Sequence, residues 1–285
     1  MKKVFIILCC VLALQSCNKD NTKNETINGF DINWTGDLGK KEKDAVRDMI
    51  SNMVKVEAGT FYMGAQKDSV EYYNYDEEAT SLEGPVHEVT VSEFYINKYE
   101  VTQLLWEAIM GETPNKEKDM QWEDEFGKGD NYPAYRISYK EVETFIGKLN
   151  EYTGLRFSLP TEAQWEYAAK GGKDTYYSLY AGGGNVLEVA WIDSNSDKCS
   201  EVGKKNANGL GLYDMSGNVW EMCNNWYYDY KDVCDTITSG EDYTGYKVFR
   251  GGSWNTNAQQ ARVTARYKQG IHYRDYNTGF RLVIE

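Results

Sequence analysis

The sequence predicts a single α+β domain, loop-rich and low in regular secondary structure. Three observations predict it. Helical periodicity with a proper start signal is confined to short stretches in the first 170 residues. Strand-like runs are short and are separated by Gly, Asn, Asp and Ser clusters, above all after Tyr176 ("AGGGNV", "SNSDKCS", "NANGLG", "TSGEDYTG"). No fixed-period repeat and no second low-complexity linker divides the chain. One domain over residues 53–285 is therefore the simplest division of 285 residues.

The elements follow in chain order. "MKKVFIILCCVLALQSC" has a basic start and an apolar run from Val4 to Leu14. That run is too short to span a bilayer, which takes about 20 residues, and it reads as a secretory signal. Leu14-Gln15-Ser16-Cys17 resembles the bacterial lipobox, which implies a signal over residues 1–17 and lipidation at Cys17. Residues 18–52, rich in Asn, Lys, Asp and Thr at their start, read as a polar tether. "MVKVEAGTFYMG" (Met53–Gly64) alternates and turns at Ala58-Gly59, so a β-hairpin is expected. "PVHEVTVSEFYINKYEVT" adds one or two strands. Thr102 N-caps a helix with Leu105, Trp106 and Ile109 on one face, ending at Gly111. Ser138 to Glu141 is a capping box before Val142, Phe145, Ile146 and Leu149 at helical spacing. Residues 112–131 are polar and read as a loop. Leu155–Leu159 is a short strand, and Thr161 to Gln164 is a second capping box, with Trp165, Ala168 and Ala169 as the buried stripe. Gly279–Ile284 is the final strand.

Charge narrows the function. The net charge is −13, and loss of the signal with Lys2 and Lys3 leaves −15, from 29 basic and 44 acidic residues. Such a field repels polyphosphate, so nucleic acid is not an expected partner. Apart from Cys17, three cysteines follow the signal: Cys199, Cys223 and Cys234. An oxidising compartment permits one disulfide among them, and the sequence does not choose the pair. The two histidines, His87 and His272, are far apart and no CxxC occurs, which argues against a Cys/His zinc site.

Five segments, "MVKVEAGTFYMG", "SLPTEAQWEYAAKGG", "NGLGLYDMSGNVWEM", "FRGGSW" and "TGFRLV", occur in the order found in the sulfatase-modifying-factor family, to which formylglycine-generating enzymes belong. Together they frame the chain from Met53 onward. The resemblance implies a loop-rich variant of the C-type lectin fold. It also implies a calcium loop in "YDMSGNVWE", with Asp214 and Glu221 as carboxylate ligands and Gly217 and Val219 as carbonyl ligands, an oxygen set that suits Ca²⁺. A second calcium site of the family, between Asn185 and Lys204, is not carried over because the loop is shorter here. Enzymatic members carry a copper-binding cysteine pair shortly after the GGS-aromatic element. Here Gly251-Gly252-Ser253-Trp254 is followed by Asn255-Thr256-Asn257, and no cysteine occurs after Cys234. Copper(I) needs soft thiolates, so copper is not expected and no catalytic residue is assigned.

Between Trp254 and Gly279 the chain is rich in Asn, Tyr, His and Asp and poor in aliphatics. Trp254, Asn255, Asn257, Tyr267, His272, Tyr273, Tyr276 and Asn277 are expected on one exposed face, with Phe249, Val263, Phe280 and Leu282 buried beneath. Arg262, Arg266 and Arg274 read as scaffold. Tyr offers contact area with few rotors and Asn adaptable hydrogen bonds, the composition of a paratope. The composition also resembles the variable proteins of diversity-generating retroelements, which display a C-terminal patch on the same lectin-like domain. The expected role is non-catalytic recognition of a protein or glycan outside the cytoplasm by a cell-envelope, outer-membrane lipoprotein held only by its lipid. The alternatives are a formylglycine-generating oxidase and a scaffold subunit of a secretion or gliding machine.

Overall fold

The computed structural model describes residues 24–114, 120–174, 178–230 and 245–285. Cys17 with the signal, and Cys234, lie outside the described residues.

Strands β1 (Asn24–Ile27) and β2 (Phe30–Asn33) form an antiparallel hairpin, and α1 (Lys40–Ser51) follows it. This corrects the expected tether over residues 18–52: from Asn24 onward the chain is folded onto the core, with Ile32, Val46 and Ile50 fully buried. The cause is a narrow stripe. Ala45, Val46, Met49 and Ile50 line one face of α1, and the charged residues around them make the average composition polar.

Strands β3 (Met53–Val56), β4 (Gly59–Met63), β5 (His87–Val91) and β6 (Phe94–Asn97) come next. The expected β3–β4 hairpin does not form. β3 pairs with β6 and β4 pairs with β5, both antiparallel, so Ala58-Gly59 links two sheets instead of closing one. Local alternation cannot tell those two outcomes apart. Helix α2 (Gln103–Met110) starts at Thr102, whose hydroxyl accepts from the Leu105 amide, and ends at Gly111 in the left-handed region. Helices α3 (Tyr139–Thr153) and α4 (Glu162–Ala169) both begin with complete capping boxes, at Ser138/Glu141 and Thr161/Gln164. β7 (Phe157–Ser158) lies between them.

The second half adds α5 (Val186–Val189), β8 (Trp220–Trp226), β9 (Tyr246–Arg250), β10 (Arg266–Gly270), β11 (Thr278–Gly279) and β12 (Val283–Ile284). One four-stranded sheet runs β3-β6-β12-β7 and the other β10-β9-β8-β11. The expected strand Gly279–Ile284 is split. β11 runs parallel to β8 in one sheet, and β12 lies between β6 and β7 in the other. Phe280, Arg281 and Leu282 make the crossing and are fully buried. Few strands and long loops on a common core are what a C-type-lectin-like fold requires.

Four arginines are buried in this core, each on a carboxylate. Arg281 grips Glu221 with two bonds of 2.7 and 2.6 Å. Arg266 grips Glu162 at 2.6 and 2.9 Å. Arg262 binds Glu83 at 2.9 and 2.8 Å and also Asp76. Arg250 binds Glu166, which Lys170 also contacts at 2.7 Å. Arg262, Arg266 and Arg274 thus hold scaffold positions, Arg274 by a 2.9 Å bond to Glu141.

Candidate functional site

Gly251 and Gly252 turn the chain out of β9. Both have positive φ, and a Cβ on Gly252 would lie 2.8 Å from the Gln260 carbonyl oxygen. The turn delivers Ser253 and Trp254. Trp254, expected on the exposed face, is instead 9 % exposed. Its ring faces Tyr276 at 5.7 Å and Phe126 at 6.5 Å, and its indole N–H points at the Tyr276 carbonyl at 3.5 Å. A large ring beside two others loses less free energy buried than solvated.

Around this anchor the polar residues are locked together. Asn277 donates to Asn255 Oδ1 at 2.8 Å, and Ser253 Oγ donates to the same oxygen at 2.8 Å. Tyr276 stacks on Phe126 at 4.5 Å, and Trp220 carries Tyr267 stacked on it at 5.1 Å. Tyr267 and Tyr273 are each 39 % exposed. The Tyr273 hydroxyl donates to Asp275, and this bond, with burial and the nearby Asp275 charge, pushes that phenol up. Tyr267 and Tyr276 are close enough to add to the same shift. His272 and Asn257 are exposed, and Asn257 caps the short 3-10 turn Ala258–Ala261, accepting from Gln260. The structure therefore brings Asn255, Tyr276 and Asn277 together beside Trp254, all three half-buried and not exposed as expected, while the exposed Tyr267 rests on Trp220 and the exposed Tyr273 lies near Tyr267 and Tyr276. Phe249, Val263, Phe280 and Leu282 are buried. Phe126 and Trp220, which carry two of the tyrosines, are absent from the sequence expectation. Trp220 alternates with inward Glu221 along β8, a signal that places its ring on the other face; Phe126 has no such signal.

The calcium-loop residues surround a buried carboxylate cluster. Asp214, Gly217 and Asn218 all have positive φ, and a Cβ on Gly217 would meet the Trp191 carbonyl at 2.2 Å. Asp214 accepts from the Gly203 amide at 2.7 Å through Oδ2, while its buried Oδ1 has no partner. Burial pushes the Asp214 carboxyl up to about 6. Glu100, fully buried, accepts from the Asn218 side chain at 2.7 Å and the Val219 amide at 3.2 Å. Burial and the charges of Asp214 and Glu221 raise it well above the usual carboxylate range. Glu221 is already bound by Arg281 and by the Trp165 indole at 2.8 Å. Among the described residues no three His, Cys, Asp or Glu side chains converge enough to hold a metal by themselves. The one observation in favour of a hard cation here is the orphaned Asp214 Oδ1. The ligand set the resemblance implies would be Asp214 and Glu221 with the Gly217 and Val219 carbonyls, and of these Glu221 already has both oxygens on Arg281.

Two thiols are described, Cys199 and Cys223, and both are buried and free. The Cys199 thiol donates to the Phe126 carbonyl at 2.8 Å. Burial pushes both thiols up, so neither is a thiolate at neutral pH.

The chain belongs to the family of the sulfatase-modifying factor enzyme 1-like domain, whose sequence profile matches residues 39–285. The match starts inside the segment expected to be tether. The chain is 31 % identical over 238 residues to the chaperone protein LppX of Paenibacillus barcinonensis, covering 68 % of this chain and 81 % of that one. It is 25 % identical over 303 residues to the formylglycine-generating enzyme of Thermomonospora curvata, covering 84 % and 95 %. Among solved structures, Treponema denticola variable protein 1 superposes with a TM-score of 0.65 at 25 % identity, covering 92 % of this chain and 98 % of that one. The C-type-lectin-like fold is the one these relatives share. Among the described residues no helix is long and apolar enough to cross a membrane.

Proposed function

We propose that this chain is an extracytoplasmic lipoprotein of the cell envelope that recognises a protein or glycan through its C-terminal Tyr/Asn face, without catalysis. One observation carries the reading. The stretch after Gly251-Gly252-Ser253-Trp254, where the family's enzymes keep reactive cysteines, holds Asn255, Thr256 and Asn257, and the chain that follows carries exposed Tyr267 stacked on Trp220, exposed Tyr273 and half-buried Tyr276 stacked on Phe126. Thiol chemistry needs a thiolate, whereas recognition needs aromatic area and adaptable amides. The signal and lipobox residues up to Cys17 support the lipoprotein reading, and the likeness to a protein named as a variable protein supports recognition over catalysis.

The test is a binding screen with purified protein on glycan arrays and intact cells, wild type against Tyr267→Ala/Tyr273→Ala. Hot-spot tyrosines contribute roughly 2 kcal/mol each, so the double variant loses at least about tenfold in affinity. Its melting temperature stays within about 2 °C, because both rings are partly solvated. Equal binding by the variant contradicts the reading, and so does a large loss of stability.

Calcium belongs to the same proposal, as a structural ion at Asp214 and Glu221. An ion bound only by the folded state raises its stability by mass action. Chelator lowers the melting temperature of wild type and leaves that of Asp214→Ala unchanged. A wild-type melting temperature that ignores chelator removes calcium from the account.

A further inference from the structure

We propose that the tyrosine loop between β4 and β5 docks an arginine-bearing segment of a partner protein. The loop shares no residue with the Tyr/Asn face, so this is a second surface.

The loop tip presents apolar groups that the fold leaves in solvent. Val70, Tyr72 and Tyr73 are 72 %, 69 % and 57 % exposed. Large apolar side chains grouped on one exposed tip mark an interaction site. The tip is tied down at both ends. Before it, Gln66 Oε1 accepts from the Asp68 and Ser69 amides at 2.7 and 2.9 Å. After it, the Asn74 side chain donates to the Tyr62 and Gly64 carbonyls at 2.6 and 2.8 Å. Tyr73 stacks on Tyr62 at 3.8 Å and meets Tyr72 edge-on at 6.2 Å. Tyr62 lies on the outward face of β4, since its neighbour Phe61 turns the other way and packs on Tyr167 at 5.1 Å. The three rings thus form one platform that continues the outer face of the β4–β5 pair.

Charge selects the occupant. Glu88 is the register partner of Tyr62 on β5, so it stands beside that ring on the same face. Glu71 sits within the tip, between Val70 and Tyr72. Both are exposed, and among the described residues neither has an ion-pair partner. Asp68, Glu77 and Glu78 add exposed acid to the same loop, against Lys67. A guanidinium can stack on a tyrosine face and donate to a carboxylate with the same planar group. A second copy of this chain meets neither need, because it brings the same acids and a net charge of −13. A saccharide fits less well. Tyr62 and Tyr73 each use one face on the other, and the groups flanking the rings carry full negative charge.

The test is fluorescence anisotropy of a labelled peptide of alternating Arg and Gly, titrated with the full chain at low ionic strength, beside its Glu/Gly counterpart and labelled maltotriose. The Arg peptide is expected to bind and to weaken as salt is added, and the other two not to bind. Glu71→Lys/Glu88→Lys lowers the affinity at least about tenfold, and Tyr72→Ala lowers it several-fold. All three positions are exposed, so the melting temperatures hold. Asp37→Lys/Glu151→Lys makes the same change of net charge at exposed positions outside the loop. It leaves the affinity within about twofold, because exposed charges beyond the contact are screened. Absence of binding by the Arg peptide overturns the proposal. So does an affinity that either loop variant leaves unchanged, an equal loss in the Asp37/Glu151 control, or binding of maltotriose in place of the peptide.

Discussion

Phe280→Ala costs about 3–5 kcal/mol of folding stability, the range for truncating a fully buried Phe. Phe280 is completely buried. Its ring meets Phe145 edge-on at 5.4 Å and Trp106 edge-on at 6.3 Å, and those two rings stack on each other at 5.3 Å. It also sits on the segment that passes from β11 to β12. One truncation therefore opens a cavity where helices α2 and α3 and both sheets meet. Urea unfolding reads the effect as a large fall in midpoint with an unchanged slope. A loss below about 1 kcal/mol contradicts this placement of the ring.

Arg262→Met is expected to cost a similar amount, about 3–5 kcal/mol, for an electrostatic reason. Arg262 is buried and donates to Asp76, to both oxygens of Glu83 and to the Glu78 carbonyl. Removing the cation leaves two buried carboxylates without it. They are then held only by neutral donors such as Thr264 Oγ1, 2.8 Å from Glu83. Met keeps most of the volume, so the loss reports charge and not a cavity. Adding Glu83→Gln to the variant recovers part of it, because one stranded charge is gone. The check is the same urea series on the single and double variants. A double variant less stable than the single one contradicts the assignment.

These two effects fix what the sequence made legible. Helices α2, α3 and α4 announce themselves through Thr102, Ser138/Glu141 and Thr161/Gln164, because a cap is a local signal. Phe280 and Leu282 read as core from their place in TGFRLV. Helix α1 did not, because its apolar stripe is short and flanked by charge. The β3–β4 hairpin was a false expectation, since which strand a strand pairs with is set by distant residues. The candidate face was legible in composition but not in architecture. Trp254 reads as surface from its neighbours, yet Phe126, more than a hundred residues earlier, and Tyr276 cover it. The buried arginines were visible only as scaffold. Their acidic partners lie 60 to 186 residues away along the chain for Arg281–Glu221 and Arg262–Asp76, a separation no local pattern encodes. Glu221 illustrates the limit from the other side: its place in the loop suggests a calcium ligand, and the fold gives it Arg281 as well.

The central claim is that a family member whose relatives include formylglycine-generating enzymes has a binding face where those enzymes keep reactive thiols. The most direct measurement incubates the purified protein with copper, oxygen and a sulfatase-type cysteine peptide and follows the peptide by mass spectrometry. The account predicts a peptide of unchanged mass, because no cysteine follows Cys234 and both described thiols are buried and protonated. Conversion of the peptide cysteine to formylglycine, abolished by substitution of Cys199, Cys223 or Cys234, would contradict it.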